Sequence, residues 1–364
     1  MAEKTIGVGI IGSGFVADIH AASFAQAQGA RLAAVASSRL ENAEAFAARH
    51  DIERAFDDYR EILSLPEVDV VSLAVPNDLH CRMCVDAARA GKHVIIEKPL
   101  CRSLAEADEM IAAGKENGVH LFYAEELCFA PKYVRARELV LSGALGKIFL
   151  VKQAEMHDGP HAPWFWDVER SGGGVALDMG CHAIEFFRWM LDKPSILSVY
   201  ACMGTYVHGD KTRGDDHSIL VLEFEGGATG LAEESWAKLG GMEDRAELYG
   251  SAGVSYIDLL RGNSILTYSD TGYDYSVEKA GMTQGWSFTM YEELWNYGFP
   301  QEMQHFIDVL HGKCEPLETA EDGRVVLEAL FAAYASAGTG RKVELPFKTD
   351  AEKPIDLWRP LAGQ

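Results

Sequence analysis

Basic residues are scarce in this sequence. Its 33 lysines and arginines stand against 55 aspartates and glutamates, so the formal net charge of the 364-residue chain is −22 at pH 7. Nucleic acids and anionic membrane surfaces are bound through clusters of lysine and arginine. The composition therefore argues against both as partners.

Long apolar runs and paired cysteine motifs are also missing. No stretch reaches the ~18–20 apolar residues of a membrane span, and the opening "MAEKTIGVGIIGSGF" lacks the pattern of a secretory signal. Seven cysteines, an odd number, are typical of free thiols in a reducing compartment, so we expect a cytoplasmic protein. Cys81 and Cys84 have C-x-x-C spacing, but no second pair completes a zinc site, and we predict no metal.

The order of apolar segments predicts an α/β region followed by an α+β region. Up to about residue 124, strands that are apolar on both faces alternate with amphipathic helices, which is typical of a doubly wound parallel sheet of the Rossmann type. After it, alternating strands joined by turns predict a mostly antiparallel sheet flanked by helices. We therefore expect two domains, a dinucleotide-binding domain at 1–124 and a substrate-binding domain at 125–364.

A glycine turn follows the first predicted strand. Gly12, Gly14 and Ala17 form the pattern G-x-G-x-x-A. The first glycine permits a tight turn, the second lets a pyrophosphate approach the backbone, and the small third residue lets helix and strand pack closely. The phosphates would lie at the helix N-terminus, next to Phe15 and Val16. The alternative is a glycine turn that only packs.

The end of the second predicted strand lacks an acidic residue. NAD-specific sites usually place Asp or Glu there for the ribose hydroxyls. This chain has Ser37, Ser38 and Arg39, whose hydroxyls and guanidinium suit a 2′-phosphate. The sequence therefore leans slightly to NADP, while Arg39 stacked on the adenine of NAD remains the alternative.

Ligands of a doubly wound sheet bind beyond the carboxyl ends of its strands. Three segments of the sequence fall there. Their candidate residues are Pro76, Asn77 and His80, then Glu97 and Lys98, then Glu125 and Glu126.

A fourth segment, "SGGGVALDMGCHAIEFF", lies in the second domain. If one helix begins near Val175, Asp178 and His182 are four residues apart on one face, with Glu185 a turn further. A carboxylate one turn before a histidine orients the imidazole and raises its basicity, as a general base requires. A surface Asp–His pair, or a buried histidine with a satisfied hydrogen bond, has the same spacing.

Together these motifs resemble the Gfo/Idh/MocA oxidoreductase family. The resemblance covers nearly the whole chain, and its specific parts are the Glu-Lys-Pro triplet at 97–99 and the G-G-G-x-x-x-D-x-G-x-H run at 172–182. It implies an NAD(P)-dependent oxidation of a CH–OH group. It also implies a C-terminal domain with a large open sheet whose face makes homodimer or homotetramer contacts.

The resemblance further implies roles for single residues. Lys98 and His182 would flank the substrate carbon, with Asp178 beside them, and His182 would accept the hydroxyl proton while Lys98 stabilises the alkoxide. The nicotinamide end of the site would be lined by Pro76, Asn77, His80, Glu97 and Lys98.

Several residues depart from the family pattern and bear on the substrate. Glu185 stands where the family usually has Asp, and Glu125 and Glu126 stand where many members are basic. Carboxylates suit sugar hydroxyls and disfavour an acidic substrate, so we expect a neutral sugar, polyol or glycoside.

An aromatic insert carries further substrate candidates. Trp164, Phe165 and Trp166 would form a stacking platform or, equally, a core plug under a loop. His157 is a candidate substrate contact. It is not a predicted metal ligand with His161, because the glycine and proline between them disfavour a helix.

Two other functions use the same features. A glycosidase that retains its NAD would oxidise the sugar transiently and give hydrolysis without net cofactor change. A non-catalytic NAD(P)-binding regulatory protein would need no proton-transfer residues, so Lys98, Asp178 and His182 argue against it.

Overall fold

The computed structural model describes residues 4–260, 264–269, 284–290 and 292–358. Its α-helices are α1 Phe15–Phe24, α2 Leu40–His50, α3 Tyr59–Leu63, α4 Asn77–Arg89, α5 Leu104–Asn117, α6 Pro131–Leu141, α7 Val168–Ser171, α8 Val175–Asp178, α9 Gly180–Met190, α10 Glu293–Tyr297, α11 Phe299–Leu310 and α12 Ala320–Thr339. Its strands are β1 Ile6–Ile11, β2 Ala30–Ala36, β3 Ala55–Phe56, β4 Val70–Leu73, β5 His93–Glu97, β6 Leu121–Ala124, β7 Ile148–Met156, β8 Ile196–Gly204, β9 His217–Phe224, β10 Thr229–Ser235, β11 Glu243–Gly250, β12 Gly253–Asp258, β13 Ser264–Ser269, β14 Gly285–Met290 and β15 Val343–Glu344. Short 3₁₀ helices cover Glu126–Phe129, Pro163–Trp166 and Pro354–Leu357.

The first compact unit comprises Met1–Phe129 and Gly298–Leu327. Its six strands form one parallel sheet in the order β3-β2-β1-β4-β5-β6. The predicted Rossmann sheet is therefore confirmed. Chain order reverses between β1 and β4, and the crevice beyond the carboxyl ends of these strands is where such sheets bind ligands.

Helix α11 belongs to this first unit although it lies far along the chain. Its buried residues Met303, Phe306 and Ile307 join the core that β1, α1 and α2 form, and the rings of Phe122 and Phe306 stack at 4.7 Å. The sequence did not predict that α11 belongs to the first unit. The assignment of cofactor binding to 1–124 and substrate binding to 125–364 remains a prediction, since the compact units follow a discontinuous division.

The second compact unit comprises Ala130–Tyr297 and Glu328–Gln364. It contains a seven-stranded sheet in the order β12-β11-β7-β10-β9-β8-β15, in which only β7 and β10 pair in parallel. A mostly antiparallel sheet flanked by helices is the predicted architecture, and it is confirmed. Separately, none of the helices that the structure describes is long and apolar enough to cross a membrane.

Helix α9 is buried along its whole length against this sheet. All of its residues from Gly180 to Met190 are buried, which is unusual for a helix of a soluble domain and fixes its position tightly. Phe187 of α9 lies so close to β10 that a Cβ on Gly230 would be 2.4 Å from its ring. The sheet therefore holds α9, and with it His182, in one place.

Candidate active site

The glycine turn after β1 has the geometry that a dinucleotide requires. Gly12 has a φ of +123°, and a Cβ there would lie 2.1 Å from the carbonyl oxygen of Ala74, so no other residue fits. Gly14 is the N-cap of α1, and a Cβ on it would meet no atom within 4 Å. The first N–H groups of a helix have no partner within it, so the open N-terminus of α1 suits a pyrophosphate.

The residues that follow the turn divide between surface and core. Phe15 is 47% exposed, Val16 is half-buried and Ala17 is fully buried against the sheet. The hydroxyls of Ser13 and Ser37 lie 2.7 Å apart. This contact joins the turn to the end of β2, so the segment that was predicted to contact the adenosine ribose adjoins the turn.

Arg39 lies on the surface beyond β2. Its guanidinium pairs with the Glu41 carboxylate at 3.1 Å and donates to Asn42 at 3.4 Å. Both ends of the Arg39–Glu41 pair are exposed, and such pairs contribute little to stability. A bound 2′-phosphate would therefore compete with a weak partner for this guanidinium.

His80 joins the loop after β4 to the loop after β5. Its ring is fully buried, with Nε2 at 2.8 Å from the Val75 carbonyl and Nδ1 at 3.2 Å from the carbonyls of Pro99 and Leu100. Pro76 caps α4, and Asn77, its first residue, is buried. The predicted roles of Pro76, Asn77 and His80 in cofactor binding stay predictions.

The end of β5 carries Glu97 and Lys98. The Glu97 carboxyl accepts the backbone N–H of Lys98 on Oε2 at 3.1 Å, and its Oε1 lies 2.8 Å from Nε2 of His20. Burial raises the pKa of Glu97, but the His20 hydrogen bond and the charges of His20, Lys98 and His80 outweigh it, so its pKa lies below the ordinary value. A buried but ionised carboxyl group therefore lies beside the candidate catalytic lysine.

A second buried carboxyl group faces the same region from α11. Glu302 is fully buried, and neither of its carboxyl oxygens has a hydrogen-bond partner among the described residues. Burial, reinforced by the charges of Glu126, Glu97, Glu125 and Glu318, raises its pKa well above the ordinary value. Glu125 is itself fully buried directly after β6. Glu302 was not predicted from the sequence, because a glutamate on an amphipathic helix usually faces solvent.

In the second unit, the glycine run at 172–174 is explained by what lies against it. A Cβ on Gly173 would be 2.5 Å from the hydroxyl of Tyr334, and one on Gly174 would be 2.1 Å from the Asp215 carbonyl. The Asp215 side chain accepts hydrogen bonds from the Tyr334 hydroxyl at 2.6 Å and the Gly174 N–H at 3.2 Å. The run thus passes between two buried side chains that clamp it.

Asp215 also fixes the start of α8. Its Oδ2 accepts the N–H of Ala176 at 2.7 Å. Burial raises the pKa of Asp215 to about 6, because desolvation outweighs the hydrogen bonds that lower it. Neither Asp215 nor Tyr334 was recognised in the sequence, since each lies far along the chain from the glycine run.

The prediction of one helix from Val175 onward is wrong. α8 ends at Asp178 and α9 begins at Gly180, with Met179 at φ −109° between them. Gly180, the first residue of α9, lies against Leu220, since a Cβ there would be 3.2 Å from the leucine side chain. Asp178 and His182 therefore stand on two successive helices, and both are buried.

Trp236 holds the Asp178 side chain. Its indole Nε1 donates to Oδ2 of Asp178 at 3.2 Å, and its ring is fully buried. Trp236 was not predicted as a site residue, because a tryptophan that follows a predicted strand is typical of a core residue. The carboxyl group of Asp178 is thus oriented by a neutral donor.

The aromatic insert packs onto Trp236. Trp166 lies edge-on to it, with ring centroids 5.3 Å apart, and the rings of Trp164 and Phe165 stack at 3.8 Å. All three insert aromatics are only partly buried. Phe165 and Trp166 both pack against the buried cluster that contains Trp236, and the predicted substrate contacts of Trp164 and Trp166 stay predictions.

His157 and Glu185 both have partners in their own surroundings. Nδ1 of His157 lies 2.7 Å from the Gly159 carbonyl, and the ring is buried. Glu185 is fully buried and pairs with Arg188 and, at 3.4 Å, with Lys193. Their predicted roles as substrate contacts stay predictions.

Three acidic side chains line up across neighbouring strands of the second sheet. Glu155 of β7 is in register with Glu234 of β10 and Asp244 of β11, and all three are buried. The Tyr133 hydroxyl donates to Asp244 at 2.7 Å. Burial, together with the charge of Asp244, raises the pKa of Glu234 well above its ordinary value. This row of acids was not predicted.

Comparison with protein-family models gives two matches along the chain. Residues 6–125 match the model described as an oxidoreductase family with an NAD-binding Rossmann fold. Residues 133–255 match the GFO/IDH/MocA C-terminal domain. The two matches follow each other in the order that the resemblance implied.

Individual proteins agree with these matches. The chain is 27% identical to myo-inositol 2-dehydrogenase of Thermotoga maritima, covering 93% of this chain and 98% of that protein. It is 29% identical to D-glucoside 3-dehydrogenase of Escherichia coli K12, covering 95% and 99%. Among solved structures, GenD2 from gentamicin A biosynthesis, in complex with NAD, is 32% identical with a TM-score of 0.88, covering 94% and 97%.

Proposed function

The chain belongs to the Gfo/Idh/MocA family of oxidoreductases, and from this premise we propose that it oxidises a secondary hydroxyl of a neutral sugar, polyol or glycoside with NAD or NADP. The observation that carries the proposal is the buried Asp178 carboxyl, held by the Trp236 indole a few residues before the buried His182. A binding protein without catalysis needs no such arrangement.

The residues of the first unit fit a dinucleotide. Gly12 permits the tight turn, Gly14 leaves room for a pyrophosphate at the N-terminus of α1, and Ser37 adjoins the turn through Ser13. When bound, the cofactor supplies the hydride acceptor. Ser38 and Arg39, with no acid at the end of β2, extend the proposal to a slight preference for NADP over NAD.

The proton transfer is assigned to the chain's own side chains. His182 accepts the proton of the substrate hydroxyl while the C–H hydrogen leaves the same carbon as hydride, so the alcohol becomes a carbonyl and one proton remains on the imidazole. Asp178, fixed by Trp236, stabilises the imidazolium. Lys98 stabilises the developing alkoxide charge.

The charge of the second unit supports a neutral substrate. Glu155, Glu234 and Asp244 lie in a buried row, and an acidic substrate near it would meet repulsion and desolvation. Carboxyl groups, whether ionised or neutral, suit sugar hydroxyls. The named relatives act on inositol and glucosides, which belong to the same chemical class.

We also propose that the second sheet mediates a homodimer or homotetramer. The face away from α9 exposes large apolar side chains on several strands, including Tyr200 of β8, Ile219 of β9 and Tyr256 of β12. Large apolar side chains exposed on the face of a sheet are typical of subunit contacts. Light scattering coupled to size exclusion tests this, and a monomer at micromolar concentration would contradict it.

The experiment for the central proposal is a substrate panel. Purified protein is mixed with inositols, hexoses and alkyl or aryl glucosides together with NAD or NADP, and the absorbance of the reduced nicotinamide is followed. We expect at least one neutral sugar or polyol to be oxidised. His182→Ala and Lys98→Ala should abolish the signal, whereas the matched controls His217→Ala and Lys115→Ala should keep it.

Three results would contradict the proposal. Unchanged turnover in both His182→Ala and Lys98→Ala would remove the site assignment. Hydrolysis of a glycoside without net reduced cofactor would identify the glycosidase that retains NAD. Cofactor binding without turnover of any compound would favour a regulatory protein.

A further inference from the structure

A histidine of the dinucleotide-binding helix lies buried behind the Glu97–Lys98 turn. His20 of α1 and Ser72 of β4 are both fully buried. Nδ1 of His20 is 2.7 Å from the Ser72 hydroxyl, and Nε2 is 2.8 Å from Oε1 of Glu97. The dinucleotide motif itself needs only glycines and one small residue. His20 therefore has a connection that the motif does not explain.

The hydrogen positions in this chain follow from its acceptors. Oε2 of Glu97 accepts the backbone N–H of Lys98 at 3.1 Å, and an ionised carboxylate accepts on both oxygens. Nε2 of His20 therefore carries the hydrogen that faces Oε1. Nδ1 lies 2.7 Å from the Ser72 hydroxyl, so both ring nitrogens of His20 have a polar neighbour.

His20 is the side chain that holds the Glu97 carboxyl. In the described part of the chain, this carboxyl accepts the backbone N–H of Lys98 at 3.1 Å and lies in ion-pair contact with Nε2 of His20 at 2.8 Å. The other titratable groups that face it act at longer range, namely the neighbouring Lys98, His80 from α4, whose nitrogens bind backbone carbonyls, and Glu302 from α11. Loss of the His20 donor would leave a buried carboxyl with an unpaired oxygen.

We propose that His20 is a positioning residue of the active site, whose Nε2–H holds Glu97 ionised and thereby fixes the turn and the charge beside Lys98. The proposal rests on the role that the proposed function gives to Lys98. A buried carboxyl without its donor takes up a proton. The Lys98 ammonium then loses the negative charge that favours it, and its amino group deprotonates at lower pH.

Two amide variants separate the two ends of the imidazole. In His20→Gln the side-chain amide reaches the position of Nε2 and still donates to Glu97. In His20→Asn the shorter amide reaches only the position of Nδ1, next to Ser72. Both variants are polar and similar in size, so they differ mainly in whether the hydrogen bond to Glu97 survives.

The measurement is the reactivity of the Lys98 amino group. Trace labelling with acetic anhydride across a pH series, read as acetylation of the Lys98 peptide by mass spectrometry, gives the apparent pKa of this group without substrate or turnover. We expect His20→Asn to lower it by about one unit and His20→Gln to leave it near the wild-type value. Circular dichroism confirms that each variant is folded.

The possible outcomes are decisive. If folded His20→Asn shows the wild-type apparent pKa of Lys98, the proposal is overturned. Equal shifts of this pKa in His20→Asn and His20→Gln would also overturn it, because they would assign the His20 ring to packing alone. If His20→Asn does not fold, Ser72→Ala replaces it, with a smaller shift in the same direction expected and an unchanged profile overturning the proposal. A substrate panel without turnover would reject the proposed function but would leave these labelling results standing.

Discussion

The indole nitrogen of Trp236 lies 3.2 Å from a carboxylate oxygen of Asp178, and both side chains are buried. This hydrogen bond connects the aromatic insert to the Asp–His pair, because Trp166 packs edge-on against the same indole. The orientation of Asp178 therefore depends on a residue that lies 58 positions away in the sequence.

The first prediction concerns this hydrogen bond. Trp236→Phe keeps an aromatic ring but removes the indole donor, so Asp178 loses its orientation. We expect kcat to fall about 10- to 100-fold, with a much smaller change in KM, because the lost interaction acts on proton transfer. Steady-state kinetics on the substrate found in the panel checks this. A proportional rise in KM with constant kcat would instead assign Trp236 to substrate binding.

The second prediction concerns the glycine run. In Gly174→Ala the new Cβ would lie 2.1 Å from the backbone carbonyl of Asp215, which cannot move aside as a side chain would. We expect the free energy of unfolding to drop by about 1–3 kcal/mol or more. Gly209→Ala is the control, since its Cβ meets only an ordinary contact at 3.8 Å. Equal urea-unfolding midpoints for the two variants would contradict the tight packing of Asp215 against the glycine run.

The third prediction concerns pH and Asp215. Its folded-state pKa of about 6 lies above the ordinary value of 3.8 because of burial. The stability it contributes is therefore fully present below the unfolded pKa and is lost as pH rises through the folded pKa. We expect the free energy of unfolding of the wild type to fall relative to that of Asp215→Asn by about 2–3 kcal/mol between roughly pH 4 and 7.

Urea unfolding of both proteins at each pH measures this difference. The comparison between the two proteins cancels the titration of all other groups. Parallel curves would show that Asp215 has the same pKa in the folded and unfolded states.

The fourth prediction concerns the cofactor. Arg39 lies beyond β2 with an exposed glutamate as its partner, so a 2′-phosphate can displace Glu41. We expect Arg39→Ala to weaken NADP binding about tenfold, as for a charge-assisted hydrogen bond, and NAD binding much less. Isothermal titration with each cofactor checks this. Equal losses for both cofactors would indicate stacking on adenine instead.

Much of the first unit was predictable because its signals are local. The strands are apolar on both faces, and Gly12 stands at a position where the backbone permits nothing larger. Such requirements depend on neighbours in sequence and on one adjacent strand. Pattern and spacing are therefore sufficient to recognise the sheet and its cofactor turn.

The side chains that surround the candidate site residues were not predictable, because they come from segments far apart in the sequence. Asp215 and Tyr334 clamp the glycine run, and Glu302 reaches the region of Glu97 from α11. The break at Met179 lies between α8 and α9. Helix periodicity alone predicted a single helix, since nothing local to 175–190 signals the break.

The most direct test of the central claim follows the hydrogen itself. The sugar or polyol identified by the panel is prepared with deuterium at the oxidised carbon, and the reduced nicotinamide is analysed by mass spectrometry after a single turnover. The account predicts one deuterium in the reduced cofactor, and His182→Ala with little or none. Product formation with no deuterium in the cofactor would contradict hydride transfer to the nicotinamide.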